Sequence, residues 1–404
     1  MSVETITLGC RLNFAESETI RRRLEAAGVR DTTIVNSCAV THEAVRTTRQ
    51  QIRKARKARP DARLLVTGCA AQIEREELAA MPEVDGLIGN RDKLDLEKFV
   101  GKTTAFVGDV MTSDGAEVAA GNAGKVRSFV SVQTGCDHRC TFCTIPYGRG
   151  NSVSLPYDAV RRAVAGELDA GAAEIVVTGV DITSYDLDGV RLGDLLQRLL
   201  SDEPRLKRLR LSSLDGVEID GALFDLLTED DRLMPHVHLS LQAGDDMILK
   251  RMKRRHSRSD AVRLVERLKA KREISVGADM IAGFPTENEA MFDNSLALIE
   301  DCDIVAAHIF PYSPRERTPA ARMPQVDRSI IKDRAARLRA TAAAHRRRWL
   351  QSKVGTRQPV LIENGGRGHT DGFAPIAITA AARGTTGMAH IVGMNDKGLT
   401  GEMT

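Results

Sequence analysis

The sequence predicts an α/β protein in three parts: an N-terminal parallel α/β domain, a central partial (β/α)6 barrel and a small C-terminal β-barrel. Three observations predict it. Through the first hundred residues, short apolar runs alternate with polar, helix-periodic segments. Six further apolar runs follow, separated by helix-like stretches, and the tail breaks into short strands between glycine-rich turns. Composition shifts place the boundaries at 1–110, 122–350 and 351–404. With 404 residues, 42% hydrophobic and 28% charged, the chain has ordinary globular composition and enough length for separate cores.

In the N-terminal part, three runs end alike: TITLGC on Cys10, TTIVNSC on Cys38 and RLLVTGC on Cys69. Successive cysteines are 28 and 31 residues apart, about one strand-helix-strand repeat. The three thiols should therefore meet at the carboxyl edge of one sheet, where ligand sites of open α/β sheets lie. From about 100 to 125 the chain becomes Gly/Ala/Thr-rich and reads as a linker.

The six middle runs are RSFVSVQ, EIVVTGV, RLRLSSL, HVHLSLQ, SVGADMIAGF and IVAAHIF, with helical patterns at 156–169, 190–200, 258–272 and 288–301 between them. Such repeats suggest an open barrel with function at the strand C-termini. A basic block follows, with ten Lys/Arg against two Asp from Asp327 to Arg357 in a chain of net charge +3. It reads as a long helix, either a polyanion contact or a solvated face.

No apolar run approaches membrane-spanning length and MSVETITLGC is no signal peptide, so no membrane partner and a cytoplasmic location are expected. Seven cysteines, an odd number without a secretion signal, favour a metal or redox role over disulfides.

The stretch TGCDHRCTFC places Cys136, Cys140 and Cys143 at C-x3-C-x2-C just after the first barrel strand. Zinc would need a fourth ligand, and His138 lies awkwardly close in sequence. A redox pair would leave Cys136 without a purpose. Three thiolates fit three irons of a 4Fe-4S cube and leave one iron open. Cys302 has no partner spacing and reads as a core or surface thiol.

This motif, with Phe142 in its aromatic place, resembles the radical S-adenosylmethionine superfamily, which implies S-adenosylmethionine on the open iron. Together with Cys10, Cys38 and Cys69, it resembles the methylthiotransferases. The resemblance implies a second 4Fe-4S cluster on the N-terminal triad, carrying the sulfur to be inserted, and a TRAM-like RNA-binding domain at the C-terminus. The phrases TLGCRLNFAESE, GCDHRCTFCTIPYGRGNSVS, VVTGVDITSY and RLRLSSLDGVE look most like the MtaB branch, which acts on threonylcarbamoyladenosine in tRNA. MiaB-like action on isopentenyladenosine and RimO-like action on a ribosomal protein are the alternatives within the family. A non-catalytic iron-sulfur RNA-binding sensor is the alternative outside it.

The resemblance also implies a flavodoxin- or ferredoxin-like electron donor and a sulfur source. It sets Phe142, Gly179, Asp181, Ser213, Gln242 and Asp279 at the cofactor or substrate mouth. His236 and His238 share a strand face; without a third ligand, barrel-interior hydrogen bonding is the expectation over a metal pair. Arg46, Arg49, Arg53 and Arg56 would form one helical stripe. With KRMKRRHSR at 250–258 and HRRRW at 345–349, they are candidate phosphate contacts for a tRNA.

Overall fold

The computed structural model describes residues 3–101, 105–112, 116–379 and 381–404. Its N-terminal sheet has five parallel strands in sequence order: Glu4–Thr7, Thr32–Ser37, Arg63–Gly68, Gly86–Ile88 and Ala105–Phe106. The second strand is buried throughout, as expected where helices cover both faces of a parallel sheet. Helices Arg11–Ala26 and His42–Ala58 cross between the first three strands, and the Thr41 side chain caps the second by accepting from Ala44 N. The third strand turns into helix Cys69–Ile73 at Gly68, whose φ is +92°. A Cβ there would lie 2.4 Å from the Ser37 carbonyl oxygen, so only glycine lets Cys69 follow the strand so closely.

All six middle runs form parallel strands, from Arg127–Ser131 to Ile304–Pro311, and the third breaks into Leu209–Leu211 and Ser213–Leu214. Alternate residues on them behave oppositely. Ile175, Val177, Leu209, Leu211, Val237, Leu239, Val276 and Ala278 join the apolar core. Most of the residues alternating with them are polar or charged, Glu174, Arg208, Arg210, His236, His238 and Asp279, with Val176 and Gly277 the exceptions. A period of two therefore separates an apolar outer face from a charged lumen. Side-chain caps at Asp220, Ser257 and Asn288 start the helices of this layer.

The linker expected at 100–125 is partly built into both sheets. Ala105–Phe106 adds the fifth N-terminal strand, and Ala120–Gly121 pairs antiparallel with Phe129 and Val130 on the barrel edge. Both additions cover strand edges that would otherwise be unpaired. Residues 102–104 and 113–115 of that stretch lie outside the described residues.

The basic block is one helix, Arg328–Lys353, capped by Asp327. Much of its charge is met by acids of the barrel: Arg334 by Glu287 at 3.0 Å, Arg337 by Glu289 at 2.5 Å and Arg348 by Glu300 at 2.5 Å. Arg328, Lys332 and Arg347 remain on its exposed side.

The C-terminal part is a closed five-stranded barrel around Val360, Ile362, Ile376, Ile378 and Ile391. Its loop at Asp371–Phe373 docks under the starts of the central strands. Arg208 Nη1 donates to Asp371 Oδ1 at 2.5 Å, Ser275 Oγ to Gly372 O at 2.5 Å, and Phe373 lies 5.1 Å from His236 between ring centroids. No helix among the described residues is long and apolar enough to cross a membrane.

Candidate functional site

Cys10, Cys38 and Cys69 each follow one of the first three strands, and the parallel sheet brings them to one edge. Gly9 makes room: a Cβ on it would sit 2.8 Å from Cys38 Cβ. Asn13 Nδ2 ties the loops together by donating to Leu8 O at 2.7 Å and Ser37 O at 3.0 Å. Burial pushes the Cys38 thiol up to about 11, and charge on nearby Cys69 or Cys10 acts the same way.

Beneath this triad lies a buried polar floor that sequence reasoning missed. Arg149, from the short helix Ile145–Arg149 after the second cysteine motif, donates to Glu16 at 2.7 and 3.0 Å and to Asn13 Oδ1 at 2.5 Å. Lys93 pairs with the same Glu16 at 2.5 Å, and Asn90 Nδ2 approaches Cys69 Sγ at 3.6 Å. Two buried cations share one carboxylate, so the floor is electropositive and suits thiolates above it. Burial, then Arg149, lowers Lys93 to about 8. The available signal was the run IPYGRG at 145–150, which follows Cys143 after one residue.

The second triad sits on a loop whose entry needs glycine. Gly135 has φ +73°, and a Cβ on it would overlap the Asn151 carbonyl oxygen at 1.8 Å. Cys136 N donates to Gly150 O and Thr141 N to Met252 O, each at 3.1 Å, while Ile145 N points at Cys143 Sγ at 3.4 Å. Burial pushes Cys143 up to about 12 and raises Cys136 as well. Arg254 Nη1 approaches Cys140 Sγ at 3.7 Å.

His138 lies 2.9 Å from Asp181 and 3.6 Å from Glu218, and these two carboxylates push its pKa up to about 10. Among the described residues, the side-chain sets tight enough for one ion contain at most one cysteine, Cys136 with His138 and Asp181. The triads are spread more widely than a single-ion site. They also lie close together: Gly148, on the short helix after Cys143, packs on Cys69 Cβ.

The remaining sequence-predicted residues divide. Asp181 joins the second triad, 3.7 Å from Cys136 Sγ, and Thr183 braces it at 3.2 Å. Gly179 adjoins it, against the Gln133 carbonyl, and Gln133 Oε1 accepts from Val180 N and Asp181 N. Phe142 packs edge-to-face on Phe284, in an apolar cluster. Ser213 is half-buried opposite His238, and Gln242 ends its strand at φ +70°. Neither has a hydrogen bond to a triad among the described residues.

Asp279 holds His238 at 3.0 Å and His308 at 3.2 Å. His238 is hydrogen-bonded in the interior as expected, to Asp279, but with Asp279 and His308 it also forms a set tight enough for one ion, whose third member the sequence did not indicate. His236 departs from that expectation: both ring nitrogens lack a hydrogen bond, because the ring is sealed against Phe373. Cys302 is fully buried in the core.

Ion pairs take up part of both basic stretches read as phosphate contacts. In the 250–258 run, Arg254 turns inward to Asp215 at 3.0 Å, Arg255 to Glu218 at 2.8 Å and Arg251 to Thr286 Oγ1 at 2.8 Å. In the helical stripe, Arg46 pairs with Glu43, Arg53 with Glu83 and Arg56 with Asp85. Arg46, Arg53 and Arg255 keep 66%, 62% and 42% of their side chains exposed, so both stretches still present charge to solvent.

A model described as the radical SAM superfamily matches residues 130–299, and one described as the uncharacterized protein family UPF0004 matches residues 2–89. Among solved structures, the radical S-adenosylmethionine methyltransferase TsrM from Kitasatospora setae aligns with TM-score 0.57 at 15% identity, covering 77% of this chain and 68% of that one. That likeness concerns the fold. A threonylcarbamoyladenosine tRNA methylthiotransferase MtaB from Rickettsia prowazekii is 44% identical over 401 residues, 97% of this chain and 95% of that protein. The MtaB of Thermotoga maritima is 34% identical, covering 90% and 86%. A tRNA-2-methylthio-N(6)-dimethylallyladenosine synthase from Cereibacter sphaeroides is 33% identical, covering 89% and 87%. With cysteine triads on both matched regions and near full-length identity to MtaB proteins, the chain belongs to the MtaB family of radical S-adenosylmethionine methylthiotransferases.

Proposed function

We propose that this enzyme adds a methylthio group to carbon 2 of threonylcarbamoyladenosine beside the anticodon of tRNA. The single observation that carries the reading is that the two cysteine triads meet at one seam, where Gly148 and Arg149, just past Cys143, pack on Cys69 and bond to Asn13 and Glu16 beside Cys10. A donor of sulfur and a generator of radicals have to reach one base from two sides. Identity to MtaB relatives selects the threonylcarbamoyl substrate.

Cys10, Cys38 and Cys69 are proposed to hold one 4Fe-4S cluster, and Cys136, Cys140 and Cys143 another with S-adenosylmethionine. Each set of three thiols, spread too widely to close on one ion, fits a cluster with an open iron. When bound, the second cluster and its cofactor supply one-electron C–S cleavage and hydrogen abstraction, and the first supplies the methylthio sulfur.

The chain's own residues do the rest. Asp181 and His138 shape the polar wall of the cofactor mouth, and Gly179 lets the second strand end approach closely. The charged lumen at Asp279, His238 and His308 receives the extruded base. On this reading residues 1–110 carry the sulfur donor, 122–350 the radical chemistry and 351–404 an RNA contact. A flavodoxin- or ferredoxin-like donor and a sulfur source complete the turnover.

The test is mass spectrometry of nucleosides from tRNA after anaerobic incubation with reconstituted protein, S-adenosylmethionine and reductant. A methylthio increment on threonylcarbamoyladenosine and not on isopentenyladenosine supports the proposal. An increment only on isopentenyladenosine overturns the substrate. Neither, with the cofactor still cleaved, redirects the search to a ribosomal protein.

A further inference from the structure

Arg11 is the first residue of helix Arg11–Ala26 and directly follows Cys10. Its side chain is half-buried, and its guanidinium carbon lies 5.9 Å from the centroid of the Phe129 ring. Phe129 alternates along the first barrel strand with Val130, which belongs to the outer apolar core. The ring is therefore on the lumen side, and Arg11 reaches from the N-terminal triad to the barrel interior.

The charged groups around it are already matched. Glu174 accepts from Arg208 and Arg210, Arg127 pairs with Glu363 at 2.9 Å, and Asp279 accepts from His238 and His308. Among the described residues Arg11 makes no hydrogen bond and no ion pair. Arg127 and Arg210 lie near enough to repel it. A half-buried guanidinium beside other cations and without an anion of its own is costly unless something negative binds there.

We propose that Arg11 forms an anion subsite, at the seam between Cys10 and the barrel lumen, that binds the carboxylate of the threonylcarbamoyl group. This rests on the substrate reading above. The planar fork of arginine matches a carboxylate with two parallel hydrogen bonds. A flipped nucleotide places its base in the pocket while the sugar-phosphate chain stays at the rim. The threonyl carboxylate is the one anion that travels inward with the base, and an isopentenyl group carries none. A backbone phosphate is the other source of the same chemistry, and the test separates the two.

Binding is measured by fluorescence anisotropy on the anaerobically reconstituted protein. The probes are anticodon stem-loops bearing threonylcarbamoyladenosine, its uncharged carboxamide analogue, isopentenyladenosine or plain adenosine. The wild-type protein is expected to prefer carboxylate over carboxamide by about tenfold or more. Arg11→Gln should bind those two alike, at the carboxamide level, with plain adenosine affinity unchanged; Arg11→Lys should fall between.

Equal wild-type affinity for carboxylate and carboxamide overturns the subsite without any mutation, so a variant that misfolds does not block the test. An equal loss on all four RNAs in Arg11→Gln, with a shallower salt dependence, assigns Arg11 to a phosphate instead. Methylthiolation of the threonylcarbamoyl RNA alongside either result removes only the subsite. A wild-type protein that modifies only isopentenyladenosine removes the substrate reading itself.

Discussion

Arg149 donates from Nη1 to Glu16 Oε1 at 2.7 Å, joining the helix that follows the second cysteine motif to the helix that follows Cys10. Both side chains are buried. The pair links the loops of the two triads, so their separation is set by a contact that neither local sequence specifies. Burial alone would raise the Glu16 carboxyl, but Arg149 and Lys93 overcome it and hold it below its ordinary value.

Replacing Glu16 with Gln leaves Arg149 and Lys93 buried without a counter-charge. The expected cost is about 3–5 kcal/mol, the usual penalty for breaking a buried pair by removing one partner. Urea unfolding of the wild type and Glu16→Gln checks it. A change below 1 kcal/mol, about what an exposed pair contributes, would mean that water reaches the seam.

Glu174 sits between Arg210 at 2.8 Å and Arg208 at 3.1 Å. Burial pushes its pKa up, yet the two guanidiniums win and bring it down to about 2. The folded carboxyl therefore binds a proton less readily than the unfolded one. Its contribution to stability is complete above the ordinary carboxylate range near 4.5 and is lost as pH falls from there through about 2. The urea midpoint of the wild type should drop over that interval more steeply than that of Glu174→Gln. Parallel acid profiles would show that the carboxyl is not held so low.

The sequence made the strands and both triads legible because those signals are local: an apolar run, a cysteine at its end, a repeat length. It could not show that Arg254 and Arg255 turn inward, since their partners Asp215 and Glu218 lie about 40 residues earlier. Nor could it show Asp371–Phe373 docking under the central barrel, because Arg208 and Ser275 are remote in the chain. The 100–125 stretch was misread as pure linker because two-residue edge strands carry no periodicity. Arg11 reads as an ordinary helix residue until the lumen is assembled around it.

Removal of one triad should leave the other loaded. On the proposed reading of one four-iron cluster per triad, Cys136→Ala is expected to lose about half the iron and all formation of 5′-deoxyadenosine. Cys38→Ala should lose a similar share of iron, keep some cofactor cleavage and make no methylthiolated product. Iron analysis with product assays decides this, and methylthiolation surviving in either variant would contradict the division of labour.

His138 separates a wall residue from a ligand. If it acts by matching the charge of Asp181 and Glu218, His138→Ala should keep its full iron content. It should still lose about 10- to 100-fold in activity, as substitutions next to a metal site commonly do. Loss of iron from the second triad in this variant would instead make His138 a cluster ligand.

Arg254 and Arg347 separate inward charge from charge that is available to RNA. Arg254 is 7% exposed and bound to Asp215, whereas Arg347 lies on the open side of helix Arg328–Lys353. A phosphate contact releases counterions, so its loss flattens the plot of log Kd against log salt by about 1. Titrating tRNA at several potassium chloride concentrations should show that flattening for Arg347→Ala. Arg254→Ala should leave the slope as it is and lower thermal stability, because buried Asp215 keeps only the longer contact to Arg255 at 3.4 Å. If Arg254→Ala flattens the slope while Arg347→Ala does not, the RNA path runs across the barrel mouth, and the acidic residues there must release their arginines when tRNA arrives.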